Sequence, residues 1–483
     1  MPRRAPIVVG LVLGMALAAL EATVVSTVMP TVVAELGGLE LYGWVGAAYL
    51  LAATVTTPVF GKLADQWGRR PLVLGGMALF LAGSAACGAA RSMAWLIAFR
   101  AVQGVGAGCM QPVSLTVIGD LFDIEERGKV QGAFGAVWAV SGIVGPLVGG
   151  ALVAVASWRW VFYLNLPIGL LAIAILVVSL RDAEPPRGGR VDWAGAALVA
   201  IVGTALLLAV SGRGVLVALV VLAAAVPALI VAERRASDPV LPFALLASRP
   251  LAVASALGLL LGAVMMGTLH FVPLHVQGVL GDAPARAGGA VAAMLVGWPI
   301  AAYATGRTIP RVGFRAPVRL GVAVVLLGAS ALALAVGTRA PVGAIAAASF
   351  LLGVGLGFAN TAVLIGVQLS AVHAQRGVAT ASTIFMRSTG GAVGVGALGA
   401  LLALEVGGGS NARELERLLA RHGGALSAGV VETLATAVLH VCVAMAILAA
   451  LAVVVALAYP AVAVPVTGGN TSPAVARSSP GSA

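Results

Sequence analysis

Apolar residues run along this chain in blocks of about 20, each long enough to cross the core of a bilayer as a helix. The blocks predict membrane-spanning helices at 6–32, 42–62, 71–90, 93–118, 129–155, 160–180, 193–211, 214–232, 251–276, 287–306, 317–337, 341–368, 377–403 and 434–459. Segments of about 10 residues with alternating polarity, the pattern of an outer-membrane barrel, do not occur. The expected fold class is all-α and integral to the membrane, with 14 transmembrane helices, and an even count returns both termini to one side.

Composition agrees. Of 483 residues, 60% are hydrophobic and only 10% charged, where a soluble domain carries about 25% charge. A net charge of +11 on a soluble protein would suggest nucleic acid. Here the basic residues lie in short loops, mostly on the side of the N-terminus, so the positive-inside rule puts both termini in the cytoplasm and no nucleic-acid partner is expected. Arginine outnumbers lysine 27 to 2, and Ala and Gly abound. That bias reads as a GC-rich bacterial genome, hence a multi-pass protein of a bacterial plasma (inner) membrane. Cys87, Cys109 and Cys442 have no metal or redox spacing and read as packing residues. The start, Met1-Pro2-Arg3-Arg4 and then an apolar run, reads as the first span, because Glu21 interrupts the run and no small-residue cleavage site follows.

The chain repeats itself. Gly104-Val105-Gly106-Ala107-Gly108 returns 249 residues later as Gly353-Val354-Gly355-Leu356-Gly357. Arg127-Gly128 returns at Arg376-Gly377, and Gly142 and Gly145 return at Gly391 and Gly394. The pair Gly61 and Gly68 after span 2 has its counterpart in Gly306 and Gly313 after span 10. The expected organisation is a six-helix bundle over 1–180, an inserted two-helix hairpin over 181–250, a second six-helix bundle over 251–459 and a disordered cytoplasmic tail over 460–483. Repeats of this kind place substrates at their interface, near mid-membrane. Charged residues at 411–421 suggest a short external helix.

The most specific signal is the loop Gly61-Lys62-Leu63-Ala64-Asp65-Gln66-Trp67-Gly68-Arg69-Arg70-Pro71. Glycines allow helix ends to approach closely and fixed charges hold a tight turn. This loop resembles the hallmark between spans 2 and 3 of the major facilitator superfamily. The resemblance implies a cytoplasmic latch: Asp65 helps hold the two halves together, and Arg69 reaches an acid at the base of span 4, where Asp120 stands; Arg70 completes the motif. In the second half Pro310 and Phe314 stand at the Asp65 and Arg69 positions, so that copy is degraded. Span 5 carries Gly142-Ile143-Val144-Gly145-Pro146-Leu147-Val148-Gly149-Gly150, with Gly142, Gly145 and Gly149 on one stripe and Pro146 expected to bend the helix. It resembles the antiporter motif of drug:proton exporters. Leu20-Glu21-Ala22-Thr23 in span 1 and Trp158-Arg159-Trp160-Val161-Phe162-Tyr163-Leu164-Asn165-Leu166-Pro167 are similar to phrases of the fourteen-helix branch of that family, which usually has Asp where Glu21 stands. The fold implied is the major facilitator fold, two six-helix bundles plus two extra helices.

Of 18 acidic residues, only Glu21 falls deep within a span, where a charge costs about 3 kcal/mol and marks a functional candidate. At 1.5 Å per residue it lies roughly 22 Å into span 1, and Arg100, running the other way in span 4, reaches the same depth. Gln103 and Gln111 fall on the face of span 4 that carries Arg100. Glu21 is the expected proton carrier and Arg100 the residue that tunes it, since burial disfavours an ionised carboxyl and a guanidinium favours it. Arg100 also matches the family's Arg-x-x-Gln-Gly stretch. Arg387 lies within span 13 with no evident acidic partner; backbone carbonyls, an anionic group and a purely structural role all remain open for it. Histidine is the side-chain type suited to proton exchange near neutral pH, but His270 and His275, five apart, do not share a face, and packing or gating is their expected role.

Candidate cavity residues are Met29, Gln103, Met110, Gln111, Met265, Met266, His270, Asn360, Gln368, Met386 and Arg387. Adaptable methionines and a few amides suit small amphipathic molecules. No phosphate-binding Gly-Lys-Ser/Thr sequence occurs, since Leu63 follows Lys62 and Val130 follows Lys129. No catalytic or metal cluster is evident, so neither an ATP-driven pump nor an enzyme is expected. The sequence predicts a monomeric antiporter that exports lipophilic or cationic drug-like compounds by alternating access, with no cofactor beyond the proton gradient. A proton-coupled symporter of a small metabolite, or an exporter of lipids or siderophores, is the alternative on the same fold.

Overall fold

The computed structural model describes residues 4–37, 41–181, 192–210, 214–236, 246–406 and 428–462. Every regular element there is helical, as a bilayer demands: with no water to bond exposed backbone groups, each span must satisfy them within itself. The first half holds α1 (Arg4–Leu36), α2 (Tyr42–Trp67), α3 (Arg69–Gly88), α4 (Met93–Leu121), α5 (Ile124–Val155), the short α6 (Arg159–Tyr163) and α7 (Asn165–Ser179). Next come α8 (Trp193–Val210) and α9 (Val215–Arg235). The second half holds α10 (Arg249–Gly278), α11 (Pro284–Val312), α12 (Arg315–Gly337), α13 (Val342–Ser370), α14 (Arg376–Val406) and α15 (Ala428–Leu457).

Among the described residues, 12 helices are long and apolar enough to cross a membrane, counting α6–α7 as one. Adding α5, whose first turn is acidic, and the shorter apolar α8 gives the expected 6 + 2 + 6 arrangement. Span 6 is interrupted between Tyr163 and Asn165, because Pro167 has no N–H to offer the carbonyl of Tyr163. The expected helix at 411–421 and the tail from 463 onward lie outside the described residues.

The repeated glycine triads perform the same packing task twice. A methyl at Gly104 would run into the Tyr49 carbonyl of α2, and one at Gly108 into Ala53 and Thr56 of that helix. Gly106 faces α3 instead, where a Cβ would lie 2.5 Å from Phe80 N. In the second half Gly353 and Gly357 meet Met294 and Trp298 of α11, and a Cβ at Gly355 would lie 2.5 Å from Val325 N of α12. Small residues let three backbones converge, which in lipid takes the place of a hydrophobic driving force between helices.

The halves meet at the end of the bundle that carries the 61–71 loop, here termed the loop end. Gly61 of α2 abuts Gly377 of α14, a Cβ falling 2.7 Å from its carbonyl oxygen. Their counterparts repeat the contact: a Cβ on Gly128 of α5 would lie 2.6 Å from the Cα of Gly306 in α11. Further along this second seam, Gly135 faces Pro299 and Gly142 faces Leu295. Between the seams Leu364 and Ile384 of the second half join the apolar cluster of the first, with Leu115 and Ile118, and form a plug. Gln368 reinforces it by donating to Leu115 O (3.0 Å) and Thr380 Oγ1 (3.2 Å). Helix α8 lies along both α2 and α14, with Gly203 against Val55 and Phe385, so the inserted hairpin straddles the first seam.

Candidate functional site

Four helices of the first half converge on one buried polar node. Arg100 Nη1 of α4 donates to Glu21 Oε1 of α1 at 2.5 Å, so the residues placed at one depth by counting are in contact. Asn165, the first residue of α7, donates from Nδ2 to Glu21 Oε2 at 2.6 Å and to Ser84 Oγ of α3 at 2.9 Å. The hydroxyl of Ser84 in turn donates to Phe162 O across the α6–α7 break (2.8 Å). Glu21, Arg100 and Asn165 are only 1%, 2% and 1% exposed, so the node is closed to solvent in this conformation.

The guanidinium is held from several directions. Besides Glu21, Arg100 donates to Gln103 Oε1 (2.8 Å) and to Val45 O (3.2 Å), and it stacks 4.3 Å from the centre of the Tyr49 ring. In a dry setting charge-assisted bonds of this kind are strong. Neutralising Glu21 would still leave Arg100 an amide, a carbonyl and an aromatic face, so the cation would not be stranded. Asn165 was visible in the sequence only as part of a family phrase; an uncharged amide opening an otherwise apolar helix was the available signal.

At the loop end, Asp65 accepts from the backbone N–H groups of Gly377 and Val378, each at 2.9 Å, and so caps the first turn of α14. A carboxylate there meets the positive end of the helix dipole. Arg69 joins Asp65 (3.0 Å) to Asp120 (3.0 Å) and reaches His373 O (3.2 Å), while Arg376 meets Asp120 at 3.1 Å. Arg70 donates to Val177 O at 2.8 Å. Gly68, with φ +94°, supplies the left-handed turn between α2 and α3. In the sequence Arg376 stands out only as the repeat of Arg127, and no motif there points to its part in this cluster. In the degraded copy Phe314 is buried in the second-half core, and Arg307 with Glu125 (3.6 Å) provides the ionic contact.

The cavity candidates separate into two groups. Gln111, Asn360, Met386 and Arg387 are partly exposed about one turn beyond the plug. Met29, Gln103, Met110 and Gln368 are buried in helix packing in this conformation. Met265 and Met266 are partly buried; Met265 packs on the second-half core, and Met266 lies against Gly391. His270 is exposed, with Nδ1 2.8 Å from Met266 O, and His275 is buried. In the span-5 motif Gly142 faces α11 and Gly149 faces Val24 of α1, so the stripe serves two neighbours; Gly145 is buried, and α5 runs on as helix through Pro146 and Gly150.

A family model described as Major Facilitator Superfamily matches residues 11–395. The chain belongs to the major facilitator superfamily. This transporter is 33% identical over 411 residues to the multidrug transporter protein MdtP of Bacillus subtilis (strain 168), covering 83% of the chain and 75% of that protein. It is also 33% identical over 399 residues to multidrug resistance protein 3 of the same organism, covering 80% and 78%. Among solved structures, the human organic anion transporter MFSD10 superposes with a TM-score of 0.65 at 15% identity, covering 93% of this chain and all of that one; this similarity bears on the fold alone.

Proposed function

We propose that this transporter exports lipophilic or cationic drug-like compounds from a bacterial cytoplasm in exchange for protons, with Glu21 as the proton carrier. The observation that carries the reading is the Glu21–Arg100–Asn165 node: a lone deep carboxyl whose cationic partner keeps other ligands when the carboxyl is neutralised. Export is supported by relatives bearing multidrug names. In the proposed cycle the loop end, held by Asp65 and Arg69, faces the cytoplasm and is closed here. Rocking of the halves parts the plug, opens the chamber to the other side, and loosens α1, α4 and α7 so that Glu21 exchanges its proton. Closed off as it is in this conformation, Glu21 retains whichever state it holds.

The test is reconstitution into liposomes under an imposed pH gradient, with the movement of a lipophilic dye compared between wild type and Glu21→Gln. Wild type moves dye against the proton flow and the variant, still folded, does not. Dye moving with the protons makes the protein a symporter, and undiminished pH-driven transport by Glu21→Gln removes Glu21 from the mechanism.

A further inference from the structure

Intramembrane charge is distributed unequally between the halves. In the first half Glu21 and Arg100 neutralise one another. In the second half Arg387 stands within α14, 10 residues beyond Gly377, or about 15 Å along the axis. The carboxylates of the second half, among the described residues, are Asp282, Glu405 and Glu432, and they pair with Arg286, His440 and Arg339 near the end opposite the loop end. No hydrogen bond or ion pair holds Arg387 among the described residues; its contact is the face of Trp298 on α11, 5.9 Å from the guanidinium carbon. Reaching from α14 to α11, it spans the inner surface of the second half from one seam to the other.

Its height matters as much as its charge. Leu115, Leu364 and Ile384 form part of the plug between the halves. Gln111 lies four residues beyond Leu115, Asn360 four beyond Leu364 and Arg387 three beyond Ile384, each away from the loop end. One turn beyond the plug, three helices from both halves thus bring two amides and a cation to one level, all partly exposed. Asn360 spends an amide hydrogen on Leu356 O (3.0 Å), which leaves its carbonyl and second N–H for a ligand.

We propose that Arg387, Gln111, Asn360 and the face of Trp298 form a binding site for an anionic amphiphile, a carboxylate or sulfonate carried on an aromatic body. An uncompensated cation at mid-membrane is costly unless function supplies its partner, and a guanidinium fork matches the two oxygens of such a group. The indole offers a stacking surface for the aromatic part. A cationic compound meets only positive charge here, because the deep carboxylate is enclosed within the first half. This inference rests on the export reading, keeps its lipophilic substrates and puts anionic amphiphiles in place of the cationic ones. With one proton entering per anion leaving, two positive charges move inward per cycle, so the membrane potential drives transport more strongly than it would for a neutral compound.

The experiment uses the full-length protein in liposomes under a pH gradient, with a naphthalene sulfonate and its uncharged sulfonamide as probes. Wild type is expected to prefer the sulfonate, Arg387→Gln to lower that preference at least tenfold, and Arg387→Lys to keep part of it. Competition on wild type alone needs no folded variant, and there the sulfonate should inhibit dye efflux better than a quaternary ammonium compound of the same ring. An unchanged sulfonate-to-sulfonamide ratio in Arg387→Gln, or stronger inhibition by the ammonium compound, overturns the site. Failure of the export reading is separately visible, as movement of both probes in the same direction as the protons.

Discussion

Asn165 Nδ2 sits 2.6 Å from Glu21 Oε2 and 2.9 Å from Ser84 Oγ, so one amide links the buried carboxyl to the helix break at Phe162. An ionised carboxyl accepts the N–H; a protonated one has a hydrogen to donate and needs the amide's oxygen instead. Rotating the amide by half a turn supplies that oxygen, and the Ser84 hydroxyl can turn to donate to it as well. Asn165→Leu removes this partner and is expected to displace the pH midpoint of transport by about one unit, since a hydrogen bond to a charged group contributes about 1.5–3 kcal/mol. A pH profile of dye efflux checks this; a profile that falls in amplitude without moving assigns Asn165 a packing role.

The two members of the buried pair should respond unequally to removal. Glu21→Gln leaves Arg100 with Gln103, Val45 and Tyr49, whereas Arg100→Leu leaves an enclosed carboxyl with only the amides of Asn165 and Gln103. Breaking a buried pair from the cationic side costs about 3–5 kcal/mol. Thermal unfolding in detergent should therefore show a clearly lower midpoint for Arg100→Leu than for Glu21→Gln.

Asp65→Ala removes the carboxylate from the first turn of α14 and one partner from Arg69. A cap contributes about 1 kcal/mol, so the closed loop end should lose population several-fold. A thiol introduced at Thr380, buried in the plug, should then react faster with a reagent added from the loop side. An unchanged labelling rate would detach Asp65 from closure.

Gly128→Leu and Gly306→Leu should each hold the loop end open, because the backbones touch there and nothing flexible can move aside. Transport should fall to background while loop-side labelling at residue 380 rises. Gly75→Leu, which meets nothing within 4 Å, is the control and should behave as wild type.

Glu35 accepts from Trp158 Nε1 at 2.6 Å and from Arg159 Nη1 at 2.5 Å, tying the far end of α1 to the turn before α6. Glu35→Ala should speed amide exchange over residues 156–160 and leave the loop end unaffected, as hydrogen-exchange mass spectrometry would register.

Spans were legible because apolar runs of about 20 residues have no other stable fate in this composition. The meeting of Glu21 with Arg100 was legible too, since counting at 1.5 Å per residue gives height on each helix. Counting gives no bearing around the helix, which depends on neighbours chosen elsewhere in the chain. That is why Gln103 and Gln111, assigned to one face, part company: the first bonds to Arg100 and the second stands partly exposed beyond the plug. Asn165 escaped notice for a different reason. A neutral amide carries no insertion penalty large enough to single it out, and its meaning came only from the carboxyl beside it.

The inserted hairpin gives the molecule an inside-out asymmetry that its two-fold plan would otherwise lack. Because α8 runs along α2 and α14 together, one seam between the halves is covered from the surrounding lipid, while the seam where α5 meets α11 has no such cover among the described helices. In the proposed cycle, oily cargo in the leaflet would meet the flank that the described helices leave uncovered, and the halves would slide beneath a strap on the other.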